Sequence, residues 1–263
     1  MHDNHNRSQT RTDAFDIARA RALQATLGKA PDLQTGDPMP PFFHQIYFWG
    51  PQLPANLGRD GHPATGEFIP DLDLPRRMWA AGKLVFHRPL LAGVKADRIS
   101  TIESVTRKQG RSGPLGFVRI RHDIKQRSTL ALTEWQELVY REDGAPALEP
   151  PQAPTDETHS ETVTFDSTLL FRYSALTFNG HRIHYDESYA RQVEGYNGLV
   201  VHGPLLAHLV MGLAARQLGT LTTFSYRATA PLMHHETGTV CWKHGQAWVR
   251  GPDGRQCMMA QAS

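Results

Sequence analysis

The chain has 263 residues, enough for one large domain or two modest ones. Apolar residues make up 40% and charged residues 21%, an ordinary balance for a globular protein that buries a core without staples. A net charge of +2 argues against nucleic acid or an anionic membrane surface as partner, and no apolar run is long enough to span a bilayer.

Met1 to Thr12 is polar and lacks a signal-like apolar stretch. This predicts a disordered tail over residues 1–13 and a cytoplasmic protein. Residues 14–27 place Phe15, Ile17, Ala18, Ala22 and Leu23 on one side of an amphipathic helix. The aromatic run 42–49 reads as core. Residues 74–82, LPRRMWAAG, are the candidate for a helical turn in this half. Strands are predicted at 83–88, 98–106, 115–124 and 129–140. Residues 143–160 carry Pro146, Pro150, Pro151 and Pro154 and show no apolar periodicity, so a linker is expected there. It separates an N-terminal domain, 14–142, from a C-terminal domain, 161–263.

In the second half, residues 171–190 crowd Asn179, His181, Arg182, His184 and Asp186 into eight positions. Residues 203–219 then repeat apolar side chains at helical spacing, with Pro204 suited to the first turn and Gly219 to the stop. Strands are predicted at 221–231, 239–242 and 247–250, around turns at Lys243-His244-Gly245 and 251–254. One buried helix followed by antiparallel strands points to an α+β unit with the sheet curled around the helix. Cys241 and Cys257 read as buried, reduced side chains.

The segment Phe-Asn-Gly-His-Arg-Ile-His-Tyr-Asp, 178–186, followed by His202-Gly203-Pro204, resembles the motif pair of the MaoC-like, (R)-specific enoyl-CoA hydratase family. Together with 74–82 and Phe-His-Arg-Pro-Leu at 86–90, it resembles a two-domain branch of that family. The branch includes mesaconyl-C4-CoA and itaconyl-CoA hydratases and the mitochondrial type 2 3-hydroxyacyl-thioester dehydratase. The resemblance implies a double hot-dog fold: two α+β halves, each an antiparallel sheet wrapped on a helix. It implies a first half that lost its catalytic residues and shapes the acyl or CoA tunnel. It also implies reversible hydration of an α,β-unsaturated acyl-CoA, with a C5 dicarboxylyl-CoA giving citramalyl-CoA as first choice. The alternative within the family is a 3-hydroxyacyl-thioester dehydratase of fatty-acid metabolism. A thioesterase and a non-catalytic acyl-CoA binder remain alternatives outside it.

On this resemblance His184 falls on the catalytic histidine and Gly203 on the glycine whose amide holds the thioester oxygen. Asn179 falls where the family has a catalytic aspartate. The residue chemistry agrees for two of them. An imidazole titrates near working pH. A helix N-terminus offers unpaired N–H groups and the positive end of a dipole. A carboxamide does not ionise, so Asn179 is expected to orient water through its carbonyl or substrate through its amide. His181 and His202 are candidates for substrate contact or for fixing the loop. Arg172 and Arg182 are candidates for a substrate carboxylate, and Arg76 and Arg77, with Lys83 and Arg88, for CoA phosphates. His234-His235 reads as an exposed pair. His181, His184 and Asp186 have the residue types of a metal site, but Asp186 before Glu187 suits a helix cap, so no metal is expected. No cofactor is expected beyond the CoA of the substrate, and a homodimer is compatible with the sequence.

Overall fold

The computed structural model describes residues 7–110, 113–144 and 149–263. The first half runs β1 (Ser8–Asp13), α1 (Ile17–Thr26), β2 (Arg76–Phe86), β3 (Ala96–Gly110), β4 (Gly113–Gln126) and β5 (Thr129–Arg141). The second runs β6 (His159–Val163), α2 (Ser167–Thr177), α3 (Glu187–Gln192), α4 (Gly203–Leu218), β7 (Thr223–Ala228), β8 (Gly238–Lys243), β9 (Gln246–Arg250) and β10 (Gln256–Ala262). The strands form one sheet in the order β1-β3-β4-β5-β2-β7-β10-β9-β8-β6. Read from each outer edge inward, the halves have the same order. They join where β2 pairs antiparallel with β7, from Ala81↔Arg227 to Val85↔Thr223.

Both halves open alike. Phe15-Asp16 precedes α1 and Phe165-Asp166 precedes α2. Asp16 accepts from the Ala18 N–H and Asp166 from the Leu169 N–H, each satisfying a donor that the helix start leaves unpaired. The two helices pack together. α4 lies across β8, β9 and β10 and buries Leu205, Leu206, Val210, Met211 and Leu213. Each such side chain contributes about 1.5–3 kcal/mol relative to exposure. The core that receives them includes Leu84 and Ile124 of the first half, so the halves share one interior.

Several sequence expectations are corrected. Ser8–Asp13 is an edge strand paired with β3, not tail; its all-polar SQTRTD lacks the apolar alternation that marks a half-buried strand. Residues 74–82 supply most of β2 rather than a helical turn. β2 is paired on both sides, by β5 and β7, and that tertiary context overrides the helix propensity of Met78-Trp79-Ala80-Ala81. No α-helix lies between α1 and β2, only 3-10 turns at Phe43–Ile46 and Pro54–Asn56. α2 lies over residues for which no helix was expected. Of the expected linker, 145–148 lie outside the described residues and residues 159 and 160 open β6. Between them, the Pro154 carbonyl accepts from Trp248 Nε1 and Arg250, so the chain at Pro154 is pinned to the sheet. Among the described residues, no helix is long and apolar enough to cross a membrane.

Candidate active site

α2 is capped at its C-terminus by Phe178, whose left-handed backbone turns the chain into Asn179-Gly180-His181. Asn179 Oδ1 accepts from the His181 N–H at 3.0 Å, an Asx turn that sets the following loop. Its carbonyl is therefore engaged in the fold, and its amide is the group free to meet a ligand. His184 closes a short 3-10 turn and is buried. Its Nδ1–H donates to the Val200 carbonyl at 2.7 Å. That bond selects the tautomer with a lone pair on Nε2. Nε2 has no partner among the described residues, and unlike His181 Nε2 it is not fully enclosed. Burial is the largest cause that pushes the His184 imidazole down, to about 3, against the pull of the Val200 bond.

His184 stacks on His202, with ring centroids 3.6 Å apart and an interplanar angle of 20°. His202 is wholly buried, and its Nε2 bonds to Ser174 Oγ of α2 at 2.8 Å. It is also the residue immediately before Gly203, which starts α4. The Gly203 N–H has no backbone acceptor among the described residues. A Cβ on Gly203 would meet only the Trp79 carbonyl, at 3.7 Å. The fold thus stacks an imidazole with an unpartnered nitrogen on the histidine that immediately precedes the unpaired amide of a buried helix.

The other candidates divide. His181 lies against His184, rings 5.4 Å apart, with a buried, unpartnered Nε2. Arg182 is tied to Asp186 at 2.7 Å and stands over Tyr189. Asp186 caps α3 by accepting from the Tyr189 N–H, as expected. Arg182 lines an outer pocket of about 420 Å³ with Arg59, Asp186, Ser188 and Tyr189; His184 and Asn179 do not line it. Arg172 is on the exposed face of α2, away from Tyr173 and Ser174, and is not brought to the site. Arg76 is buried and paired with Glu194 at 2.7 Å, so it is not available to a CoA phosphate. Arg77 is half-buried, has no carboxylate partner among the described residues, and its charge reaches His62 and His181. His234 is half-buried and His235 exposed; Cys241 and Cys257 are free and buried.

Sequence reasoning missed Asp60 and His62. His62 Nδ1–H donates to Asp60 Oδ2 at 3.0 Å, and the His62 ring lies 4.5 Å from that of His181. Asp60, His62 and His181 each bring a donor atom within 4.8 Å of the others, a spacing that a metal ion could bridge. The Asp60–His62 hydrogen bond already uses one atom of each, the geometry of a hydrogen-bonded pair. The signal in the sequence was Asp-Gly-His at 60–62, a turn carrying two proton-handling residues, but nothing local placed it beside residue 181.

Two halves of one strand order, with the sheet wrapped on a central helix, are a hot-dog architecture. The profile of the family described as hydroxyacyl-thioester dehydratase type 2 matches residues 42–234, and the chain belongs to that family. It is 46% identical to mesaconyl-C(4)-CoA hydratase of Chloroflexus aurantiacus, over 86% of this chain and 82% of that protein. It is 26% identical to the mitochondrial hydroxyacyl-thioester dehydratase type 2 of Schizosaccharomyces pombe, over 80% of this chain and 79% of that one. Among solved structures, HtdX of Mycobacterium tuberculosis superposes with a TM-score of 0.70 at 16% identity, covering 97% of this chain and 99% of that chain. A conserved M. tuberculosis protein described as a double hotdog fold matches with a TM-score of 0.57 at 15% identity, over 98% of this chain and 95% of its own. The double hot-dog expectation holds, and the chain is an enzyme of the hydratase and dehydratase kind.

Proposed function

We propose that this enzyme reversibly hydrates an unsaturated C5 dicarboxylyl-CoA of the mesaconyl-C4 type, giving citramalyl-CoA. The observation that carries this is the placement of the His184 imidazole, its Nε2 unpartnered, on the histidine that precedes the free Gly203 amide. Water attacks the β-carbon while His184 Nε2 takes one of its protons. Charge then develops on the thioester oxygen, where the Gly203 N–H and the start of α4 stabilise it. The α-carbon takes the proton back from the imidazolium, so one water is added and nothing else is consumed. Asn179 offers its amide to the water or the carbonyl.

Arg77 supports the dicarboxylate reading. Of the four candidate arginines, Arg76 and Arg182 already hold carboxylates and Arg172 faces out, which leaves Arg77, unpaired among the described residues, for a distal carboxylate. The likeness to mesaconyl-C(4)-CoA hydratase supports the same substrate. The family description supports the reverse reaction on 3-hydroxyacyl thioesters as the second reading, through the same groups. Neither direction calls for a metal or a cofactor beyond the CoA of the substrate. The β2–β7 seam joins the two halves in one chain, and a homodimer is compatible with this reading. Buried free cysteines suit a reducing compartment, and we place the enzyme in the cytoplasm. A panel of enoyl-CoAs with and without a distal carboxylate, followed by loss of enoyl absorbance, tests the assignment. Mesaconyl-C4-CoA is expected to turn over fastest, and His184→Ala to abolish turnover. Equal rates in both proteins end the assignment.

A further inference from the structure

His184, as acid and base, must hold a proton for part of each turnover. Its surroundings oppose that. It is buried, it stacks on His202, and His181 and His62 lie beside it. A cation forming in such a place needs a negative charge nearby. Asn179 cannot supply one. Asp186 is committed to Arg182, and Glu194 to Arg76.

Among the described residues, the carboxylate hydrogen-bonded into this histidine cluster is Asp60, and it comes from the other half of the molecule. It is 8% exposed and bonds to His62 twice, through Oδ2 to Nδ1 and through Oδ1 to the backbone N–H. Burial works to raise its pKa, but the His62 bonds and the nearby imidazoles outweigh it and keep the carboxyl ionised. The loop that carries it is seated by backbone. The Asp60 carbonyl accepts from the Arg182 N–H at 2.8 Å, and the Arg59 carbonyl accepts from the Arg182 guanidinium. Gly61, at φ +87°, lies so close to Gly180 that a Cβ would come 2.0 Å from the Gly180 carbonyl. The pair is therefore held against the His181 segment at a spacing that admits only glycine.

We propose that Asp60 and His62 are positioning residues of the hydratase: the first half supplies, through His62 and His181, the negative charge that stabilises the proton on His184 during turnover. This rests on the hydratase reading above. The titratable and charged groups around the pair are Arg59 next to it in the loop, Arg77 on β2, Tyr140 on β5, His181, Arg182, His184 and Tyr185 in the loop after α2, and Tyr189 on α3. Arg59 and Arg182 are paired with Asp143 and Asp186, and Arg77 opposes protonation of His62 and His181.

The test uses Asp60→Asn, His62→Gln and the double variant Asp60→Asn/Asn179→Asp, each checked by thermal melting. In Asp60→Asn, kcat is expected to fall about fiftyfold with KM within about threefold and the melting temperature nearly unchanged. His62→Gln should follow it in direction. The double variant, which returns a carboxylate beside His181, should recover most of the loss. Proton–nitrogen NMR of the side-chain imidazoles, without substrate, should show His181 and His184 titrating at lower pH in Asp60→Asn. Wild-type-like kcat in Asp60→Asn overturns the proposal. So does a loss of kcat with unmoved imidazole titrations and no recovery in the double variant, which marks a structural role. Activity lost to a chelator and restored by zinc also overturns it, since Asp60, His62 and His181 would then be a metal centre. If the wild type hydrates no enoyl-CoA, the hydratase reading fails; an unmoved NMR titration then overturns the coupling separately.

Discussion

The two halves share one strand order and one opening helix, yet they fill the hollow of the sheet differently. In the second half α4, of 16 residues, lies across β8, β9 and β10 and starts just after His202, on which His184 stacks. In the first half the stretch between α1 and β2 has only 3-10 turns, and Phe42, Phe43 and Ile46 fill the space. Each half also buries a serine–histidine contact: Ser174 with His202 in the second, and Ser100 with His122, at 2.7 Å, in the first. The first-half cluster continues through Glu134 to His44 at 3.1 Å and Gln45 at 2.7 Å. It is closed in by core, whereas the second-half cluster ends at the free Nε2 of His184. The difference between the two clusters is that one buried imidazole keeps an unpartnered nitrogen next to a helix start, while the other is tied into its own core. The half without that helix is left to brace the other through Arg76, Trp79 and the Asp60 loop.

The widest expected gap is in turnover. His184→Gln should lower kcat about 10³-fold with little change in melting temperature, measured on the preferred enoyl-CoA. Next is the opposite case. Glu134→Ala strands His44 in the first-half core and should cost about 3–5 kcal/mol of stability while kcat stays within about twofold. If kcat instead falls as far as in His184→Gln, the first-half cluster is not merely structural and the contrast fails. Arg77→Met should lower kcat/KM for the dicarboxylyl-CoA about thirtyfold and leave crotonyl-CoA nearly unaffected; equal losses on both substrates would move Arg77 off the acyl group.

The smallest effect, per residue, is on pH and stability. His122, His181, His184, His202 and His208 are all held below the ordinary 6.5 by burial first of all. A histidine that stays neutral when folded takes up its proton on unfolding, so acid favours the unfolded chain. The stability is whole above about pH 6.5 and is lost as pH falls toward the folded values, about 4 for His122 and about 3 for His184 and His208. Each contributes about 1.4 kcal/mol per pH unit in that window. Denaturant midpoints at pH 7.5 and 5.5 check this, and a flat response would mean that the clusters open to water.

Much of the catalytic half was legible because its signals are local. Gly203-Pro204 and the apolar spacing after it mark α4, and Asp186 before Glu187 marks the start of α3. His184 and Gly203 were readable as a pair through the resemblance, and in the fold His184 stacks on His202, the residue before Gly203. β1 and the strand character of 74–82 were not legible. One is a polar edge strand, and the other takes its conformation from neighbours on both sides. The repeat of Phe15-Asp16 at Phe165-Asp166 could have revealed the doubled architecture, and with it α2. The fate of the arginines was hidden for a different reason: whether a guanidinium is free depends on which carboxylate arrives beside it, and Glu194 is far from Arg76 along the chain.

By itself the sequence determined the periodic and punctuated elements, the chemistry available at 179–203 and the family, because these depend on neighbours a few residues apart. The tertiary structure alone decided that the Asp60 loop of the first half meets the His181 segment of the second. Asp60 meets His181 only after β2 has paired with β7 and two glycines have let their backbones touch, and no local pattern encodes a contact between segments that far apart.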